Sequence, residues 1–233
     1  MGFGPQLADL DGDGKPDLTS GSWPGEIYWF RGEGGGKFGA RDTLKLASGG
    51  ALKPGNASAV AVVDWDGDGL LDIISGVIEG AVYFIRNEGT AQKPVFAKPV
   101  MLAAGGATIR VPGGDSGPCV ADWDGDGRPD LLVGCGDGSV FFFRNKAAKG
   151  VPELEPPVAL VSKGPTFTQP ANSQPLTRPG SRAKVCVADW NGDGGPDLLV
   201  GDFNYEHNKA HGYVWVFLRK PAASSPAASS GAE

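Results

Sequence analysis

Four short segments concentrate the side chains that could do chemistry. They run Asp9-Leu-Asp11-Gly-Asp13-Gly-Lys15-Pro-Asp17, Asp64-Trp-Asp66-Gly-Asp68-Gly-Leu70-Leu-Asp72, Asp122-Trp-Asp124-Gly-Asp126-Gly-Arg128-Pro-Asp130 and Asp189-Trp-Asn191-Gly-Asp193-Gly-Gly195-Pro-Asp197. Carboxylates at positions 1, 3, 5 and 9 of each segment repel one another unless a cation sits among them. Hard oxygen donors in that number select Ca2+. Glycines at positions 4 and 6 let the backbone wrap tightly, and the residue at position 7 (Lys15, Leu70, Arg128 or Gly195) can add a carbonyl oxygen. Up to four Ca2+ ions are therefore expected, one per segment. Asn191 keeps an oxygen but loses a charge, so the fourth site is expected to be the weakest.

The start of each segment also fits an EF-hand, which needs Glu at position 12 between two helices. Position 12 here is Ser20, Ser75, Val133 or Val200. The flanks are strand-like, and the EF-hand reading fails on both counts.

These loops hold 15 of the 27 acidic residues, while the other 12 face 21 Lys and Arg. The net charge of -6 is thus a local property. A divalent ion in each loop would bring it to about +2. Gly and Pro make up about a quarter of the 233 residues, but the glycines recur on a period, so low-complexity disorder does not fit. No apolar run reaches the roughly 18 to 20 residues of a membrane-spanning helix. Cys119, Cys135 and Cys186 lack metal-ligand spacing and are expected in the core.

The loop starts lie 55, 58 and 67 residues apart, and each loop is flanked by β-prone runs too short for helices. Strand A enters the loop (Ala59 to Val63, Pro118 to Ala121, Val185 to Ala188) and strand B leaves it (Leu71 to Ser75, Asp130 to Val133, Asp197 to Val200). Strand C is aromatic: Ile27-Tyr28-Trp29-Phe30-Arg31, Val82-Tyr83-Phe84-Ile85-Arg86, Val140-Phe141-Phe142-Phe143-Arg144. A weaker strand D is expected over Phe38 to Leu44, Phe96 to Leu102 and Leu154 to Leu160. Four strands per repeat make one propeller blade. The reading is all-β: a four-blade β-propeller over residues 1–220, with repeats of about 2–53, 54–111, 112–178 and 179–220. The last blade is expected to lack its outer strand, and the Ala/Ser/Pro-rich residues 221–233 to be a disordered tail.

The four Asp-x-Asp/Asn-Gly-Asp-Gly-x-x-Asp loops between short strands resemble the FG-GAP/VCBS repeats of integrin-α-type β-propellers. The resemblance implies a Ca2+ site between strands A and B of each blade, at the Asp and Asn positions named above, mainly stiffening the blade. Such propellers often have seven or eight blades. Four repeats are then expected to be a small ring, a half that pairs with another copy, or a fragment of a larger secreted protein.

Trp65, Trp123 and Trp190, with Leu10 in the first copy, hold position 2 and are expected to pack between blades. Trp23, beside Pro24 and Gly25 in a turn, is expected to contact a ligand, as are the basic residues Arg110, Arg178 and Arg182 with Lys53 and Lys184. His207 and His211 sit in an insertion of the last repeat that reads as a hairpin loop. No nucleophile with a base, GxSxG elbow or phosphate-binding loop stands out. Asp115, Glu26 and Glu79 are left without an evident partner. The expected function is a non-enzymatic Ca2+-binding module for extracellular binding, adhesion or assembly, with a protein or glycan ligand and no nucleic acid or membrane insertion. The alternative is a carbohydrate-active protein, lectin-like or an accessory domain of a polysaccharide lyase. The open edge of the last blade is expected to take a second copy or a filament neighbour. No signal peptide opens the chain, although millimolar Ca2+ argues for an extracellular or cell-surface location. The start in mid-repeat is expected of a trimmed chain.

Overall fold

Strand-prone runs on either side of each acidic loop pair as antiparallel hairpins in the computed structural model, which describes residues 4–147, 149–163, 179–206 and 209–220. The first blade orders β1 (Gln6–Ala8), β2 (Asp17–Ser20), β3 (Tyr28–Phe30) and β6 (Asp42–Thr43), with β4 (Gly32–Gly34) and β5 (Lys37–Phe38) forming a side ribbon. The second runs β7 (Ala59–Val63), β8 (Asp72–Gly76), β9 (Val82–Ile85) and β10 (Val100–Met101), with β11 (Ala103–Ala104) and β12 (Ala107–Thr108) as its ribbon. In the third, β13 (Gly117–Ala121), β14 (Asp130–Gly134), β15 (Val140–Phe143) and β16 (Val158–Val161) lie side by side. The fourth pairs β17 (Ser181–Ala188) with β18 (Asp197–Glu206), and β18 pairs in turn with both β19 (Lys209–His211) and β20 (Val214–Phe217). The protein is a four-blade all-β propeller, without a helix among the described residues.

One register recurs. The residue before each loop faces the loop's last Asp: Ala8 opposite Asp17, Val63 opposite Asp72, Ala121 opposite Asp130 and Ala188 opposite Asp197. The nine-residue loop therefore closes the A–B hairpin at the same pair in all four blades. Strand D is shorter than the sequence suggests. Phe96 and Leu154 precede it as isolated bridges and are buried against the neighbouring blade, bridging to Leu46 and Ala104. In the last blade strand B continues to Glu206, and the inserted turn folds as a β18–β19 hairpin that contains His211. His207 lies outside the described residues, as does the tail. No strand pairs beyond β20 among the described residues.

Because side chains alternate across a strand, each blade has two apolar faces that must be covered. Leu10, Ile27 and Trp29 of blade 1 pack on Val60, Ile73, Ile85 and Phe96 of blade 2. Trp65, Ile74 and Val82 of blade 2 pack on Leu131, Val133 and Phe143 of blade 3. Leu132, Val140 and Val161 of blade 3 pack on Ala183, Leu198 and Val200 of blade 4. Among the described residues these three inter-blade cores are the only ones, and blades 1 and 4 share none.

Two sequence expectations need correction on this ground. Trp65 and Leu10 are buried between blades and Trp123 is half-buried beneath Arg219, whose guanidinium lies 5.0 Å from its ring. Trp190 instead is 62% exposed, because among the described residues no blade packs on that side of blade 4. The same open side exposes Cys186, whereas Cys135 is buried and Cys119 is half-buried against the core between blades 3 and 4.

Candidate metal sites

Each acidic loop is wound around its own carboxylates. The glycines at positions 4 and 6 have φ of 66° and 84° in loop 1, and 74° and 90° in loop 2. Side chains rarely adopt that left-handed region, and glycine enters it at little cost. The wrap aims successive N–H groups at the first Asp. Asp13 N donates to Asp9 Oδ1 at 3.0 Å and Gly14 N to Asp9 Oδ2 at 2.8 Å. The same pair of bonds reaches Asp64, Asp122 and Asp189.

The Asp at position 9 does a different job. Asp17, Asp72, Asp130 and Asp197 are fully buried. In each, Oδ2 accepts from the backbone N–H at position 2, from Leu10, Trp65, Trp123 or Trp190. Oδ1 accepts from a backbone N–H just past strand C, on Gly32, Asn87, Asn145 or Arg219. One carboxylate thus ties the loop's start to the end of strand C, a role that the spacing alone did not reveal.

Three loops gather ligand atoms closely. Carboxylate oxygens of Asp9, Asp11 and Asp13, of Asp64, Asp66 and Asp72, and of Asp122, Asp124 and Asp130 lie within 4.8 Å of one another. Oxygens ligating one Ca2+ at 2.3–2.6 Å can be at most about 5 Å apart, so the donor sets fit that ion. Asp11 Oδ1 is buried with no hydrogen-bond partner, leaving a lone pair for a cation. In loop 4, Asn191 Nδ2 donates to Asp193 Oδ2 at 2.8 Å, occupying an oxygen of position 5. These contacts concern candidate ligands Asp9, Asp11, Asp13, Asp17, Asp64, Asp66, Asp68, Asp72, Asp122, Asp124, Asp126, Asp130, Asp189, Asn191, Asp193 and Asp197. At position 7 (Lys15, Leu70, Arg128 and Gly195) the backbone N–H donates to the position 5 carboxylate.

An arginine closes each of the first three loops. Arg31 Nε lies 3.4 Å from Asp11. Arg86 reaches Asp66 at 2.8 Å and Asp68 at 2.9 Å, and Arg144 reaches Asp124 at 2.6 Å and Asp126 at 2.9 Å. The signal was present in the sequence, since all three strand C runs end in Arg. In blade 4 the equivalent residue, next after the one opposite Leu198, is Leu218. Position 3 is Asn191 in the same blade, so carboxylate and guanidinium are lost together. Loops 1 and 3 carry a second cation at position 7, Lys15 on Asp13 and Arg128 on Asp126, which loops 2 and 4 lack.

Burial sets the proton affinities. It pushes Asp72 up to about 6, against hydrogen bonds from the N–H groups of Asn87 and Trp65, with Asp66 and Asp68 adding repulsion. Burial likewise raises Asp11 and Asp130. A group whose folded pKa is raised stabilises the fold below its unfolded value, near 3.9 for Asp, and loses that contribution as pH rises through the folded value. The metal-free chain is therefore expected to have a higher urea midpoint at pH 5 than at pH 7. Saturating Ca2+ should reverse the order, because the metal needs the ionised form. Unfolding curves at both pH values in EDTA and in Ca2+ check this, and a metal-free midpoint that rises toward pH 7 would count against it.

The remaining candidates scatter. Trp23 is 53% exposed, and Arg110 lines an apolar cleft of about 290 Å³ with Ile109, Val111, Phe141 and Phe143. Arg178 lies outside the described residues. Several charges that the sequence left unpaired do have partners. Lys184 Nζ donates to Asp115 at 3.0 Å, Arg182 lies 3.8 Å from the same carboxylate, and Lys53 lies 2.9 Å from Glu26. Arg182 also stacks over Phe203 at 5.8 Å.

The FG-GAP-like repeat pattern matches three times, over residues 9–75, 64–133 and 122–200. Each match starts at the first Asp of a loop and runs through the next loop. No curated protein matches the chain. Among solved structures it is similar to a lectin of Agrocybe aegerita described by its specific recognition of non-reducing terminal N-acetylglucosamine, at 22% identity and a TM-score of 0.46. The similarity covers 89% of this chain and 50% of that one, so the chain spans half the lectin's length.

Proposed function

This chain belongs to the FG-GAP-like repeat family, and from that premise we propose that it is a Ca2+-binding propeller module serving extracellular binding, adhesion or assembly, not an enzyme. The observation that carries the reading is the threefold recurrence of an acidic triad with oxygens within 4.8 Å of one another, wrapped by the same backbone turns. Bound Ca2+ would supply the positive charge that the clustered carboxylates lack. The side chains at positions 1, 3, 5 and 9 and the carbonyl at position 7 are the groups to hold it. Arg31, Arg86 and Arg144 temper the repulsion while the loop folds. Position 9 fixes the loop to strand C, so filling the site stiffens the whole blade. Loops of this kind fill best where Ca2+ is millimolar, which supports an extracellular or cell-surface location.

Calorimetric titration with Ca2+ tests this. About three sites are expected, with the fourth loop weaker, and Asp66→Ala and Asp124→Ala should each remove one. Absence of binding, or a stoichiometry untouched by either substitution, would sink the proposal.

A second reading, glycan binding, is favoured by Trp23, whose ring stands half out in a turn and could stack on a sugar.

A further inference from the structure

Every blade presents a trailing face to the next blade and a leading face to the one before, and the repeat lets equivalent positions be compared. On the trailing face, Val82 of blade 2 and Val140 of blade 3 are fully buried, whereas their equivalent Val214 is 69% exposed. Trp190, Val216 and Cys186 are exposed alongside it, where Trp65, Phe84 and Ala61 of blade 2 are at least half-buried. On the leading face, Phe96 of blade 2 and Leu154 of blade 3 are buried, but the corresponding Phe38 of blade 1 is exposed. Leu7, equivalent to the half-buried Val62, is 65% exposed. The two faces left bare on this molecule are thus the two halves of the joint that it makes three times internally.

A glycine sharpens the argument. Gly76 and Gly134 end strand B in blades 2 and 3, and Gly21 follows it directly in blade 1. A Cβ on any of them would collide with a carbonyl oxygen at or just before the next blade's inner strand, that of Ser58, Ser116 or Ala183. Blade 4 has Gly201 at this position, yet the nearest atom to a Cβ there is Lys184 O of its own blade, at 3.8 Å. The clearance that admits a following blade is present, and among the described residues no blade occupies it.

We propose that a second copy of this chain fills it. The leading face of blade 1 in one copy docks on the trailing face of blade 4 in the other, and the same contact formed twice closes a ring of eight blades. This joint is heterologous, so closure sets the copy number. Propellers typically hold four to eight blades, and two copies reach that limit while three exceed it. The partner is chosen by shape and apolar character that the chain already matches in its own inter-blade cores.

Light scattering over a concentration series tests the proposal. The expected mass is twice the 24.0 kDa of the chain. Gly201→Val and Leu7→Glu alter opposite faces at positions that are open in the single chain, so each should melt as the parent does under monomeric conditions yet remain monomeric at concentrations where the parent pairs. An equimolar mixture of the two variants retains one intact joint and should recover a two-copy particle. The Cys186 thiol should react with a disulfide reagent at least tenfold more slowly in the paired parent than in Leu7→Glu. A parent that stays monomeric overturns the proposal. So does pairing that survives Leu7→Glu, which would mean that like faces meet, or a mass above two copies.

Discussion

Transfer from 10 mM Ca2+ to EDTA is expected to lower the melting temperature by roughly 15 to 30 °C. Each metal-free loop holds three or four carboxylates against at most two basic side chains, which offset only part of their repulsion. An ion that binds the folded loop with a Kd near 0.1 mM, typical of extracellular Ca2+ modules, contributes about 2.7 kcal/mol at a hundredfold excess. Three such loops give about 8 kcal/mol, comparable with the whole stability of an ordinary domain. In a chain of this size each kcal/mol moves the midpoint by about 2 to 4 °C. Raising NaCl to the same ionic strength should not substitute, since screening acts on all exposed charges and supplies no ligand shell. Thermal unfolding by circular dichroism in Ca2+, EDTA and NaCl decides the matter. A melting point that is the same in Ca2+ and EDTA would mean that the loops are turns stabilised by their own N–H groups and arginines.

Gly134→Val should cost about 3 kcal/mol or more, while Gly201→Val leaves the single chain's stability within about 0.5 kcal/mol. Both residues lie four positions after the last Asp of their loop on strand B, and in neither is φ in the left-handed region, so backbone freedom is not what separates them. The difference lies in the neighbour. A side chain at Gly134 must displace the backbone carbonyl of Ala183 and its Cβ, which are part of the core between blades 3 and 4. A well-packed interior cannot absorb such a shift without losing contacts elsewhere. At Gly201 the nearest described atom to such a side chain's Cβ is Lys184 O at 3.8 Å, an ordinary contact distance. Urea midpoints of the two variants at low protein concentration make the comparison, and equal losses would contradict this account.

Much of the architecture was legible because propeller blades are local. The A–B hairpin, its loop and strand C follow within some thirty residues, and their spacing fixes the register once one turn is identified. Strand A at Ala59–Val63 falls where the alternation places it. Strand D did not, since Phe96 and Leu154 are apolar for a reason outside their own blade: they reach a neighbour, and the strand starts only after them. Trp190 was misread for the complementary reason. Its position in the repeat says that it packs, but whether anything lies opposite depends on the next blade. In the candidate sites, ligand types could be read from spacing, whereas the dual hydrogen bonding of the position 9 Asp could not, because its second partner comes after strand C. The arginines at the end of strand C were visible as a repeat yet silent about their target until β3, β9 and β15 were set beside the loops. Asp115 and Glu26 found Lys184 and Lys53 across sequence gaps that no local pattern spans.

Three inter-blade cores in series, with none joining the last blade to the first among the described residues, give the single chain the cooperativity of a linear array. Blades 2 and 3 are each held by two neighbours, and blades 1 and 4 by one. Fraying then begins at the two ends and costs one joint at a time, so a lesion in one blade is felt chiefly by the blades beside it. A closed ring has no such ends, since unfolding any one blade forfeits two joints at once. The same four repeats can therefore pass from graded to all-or-none unfolding without a change in any blade.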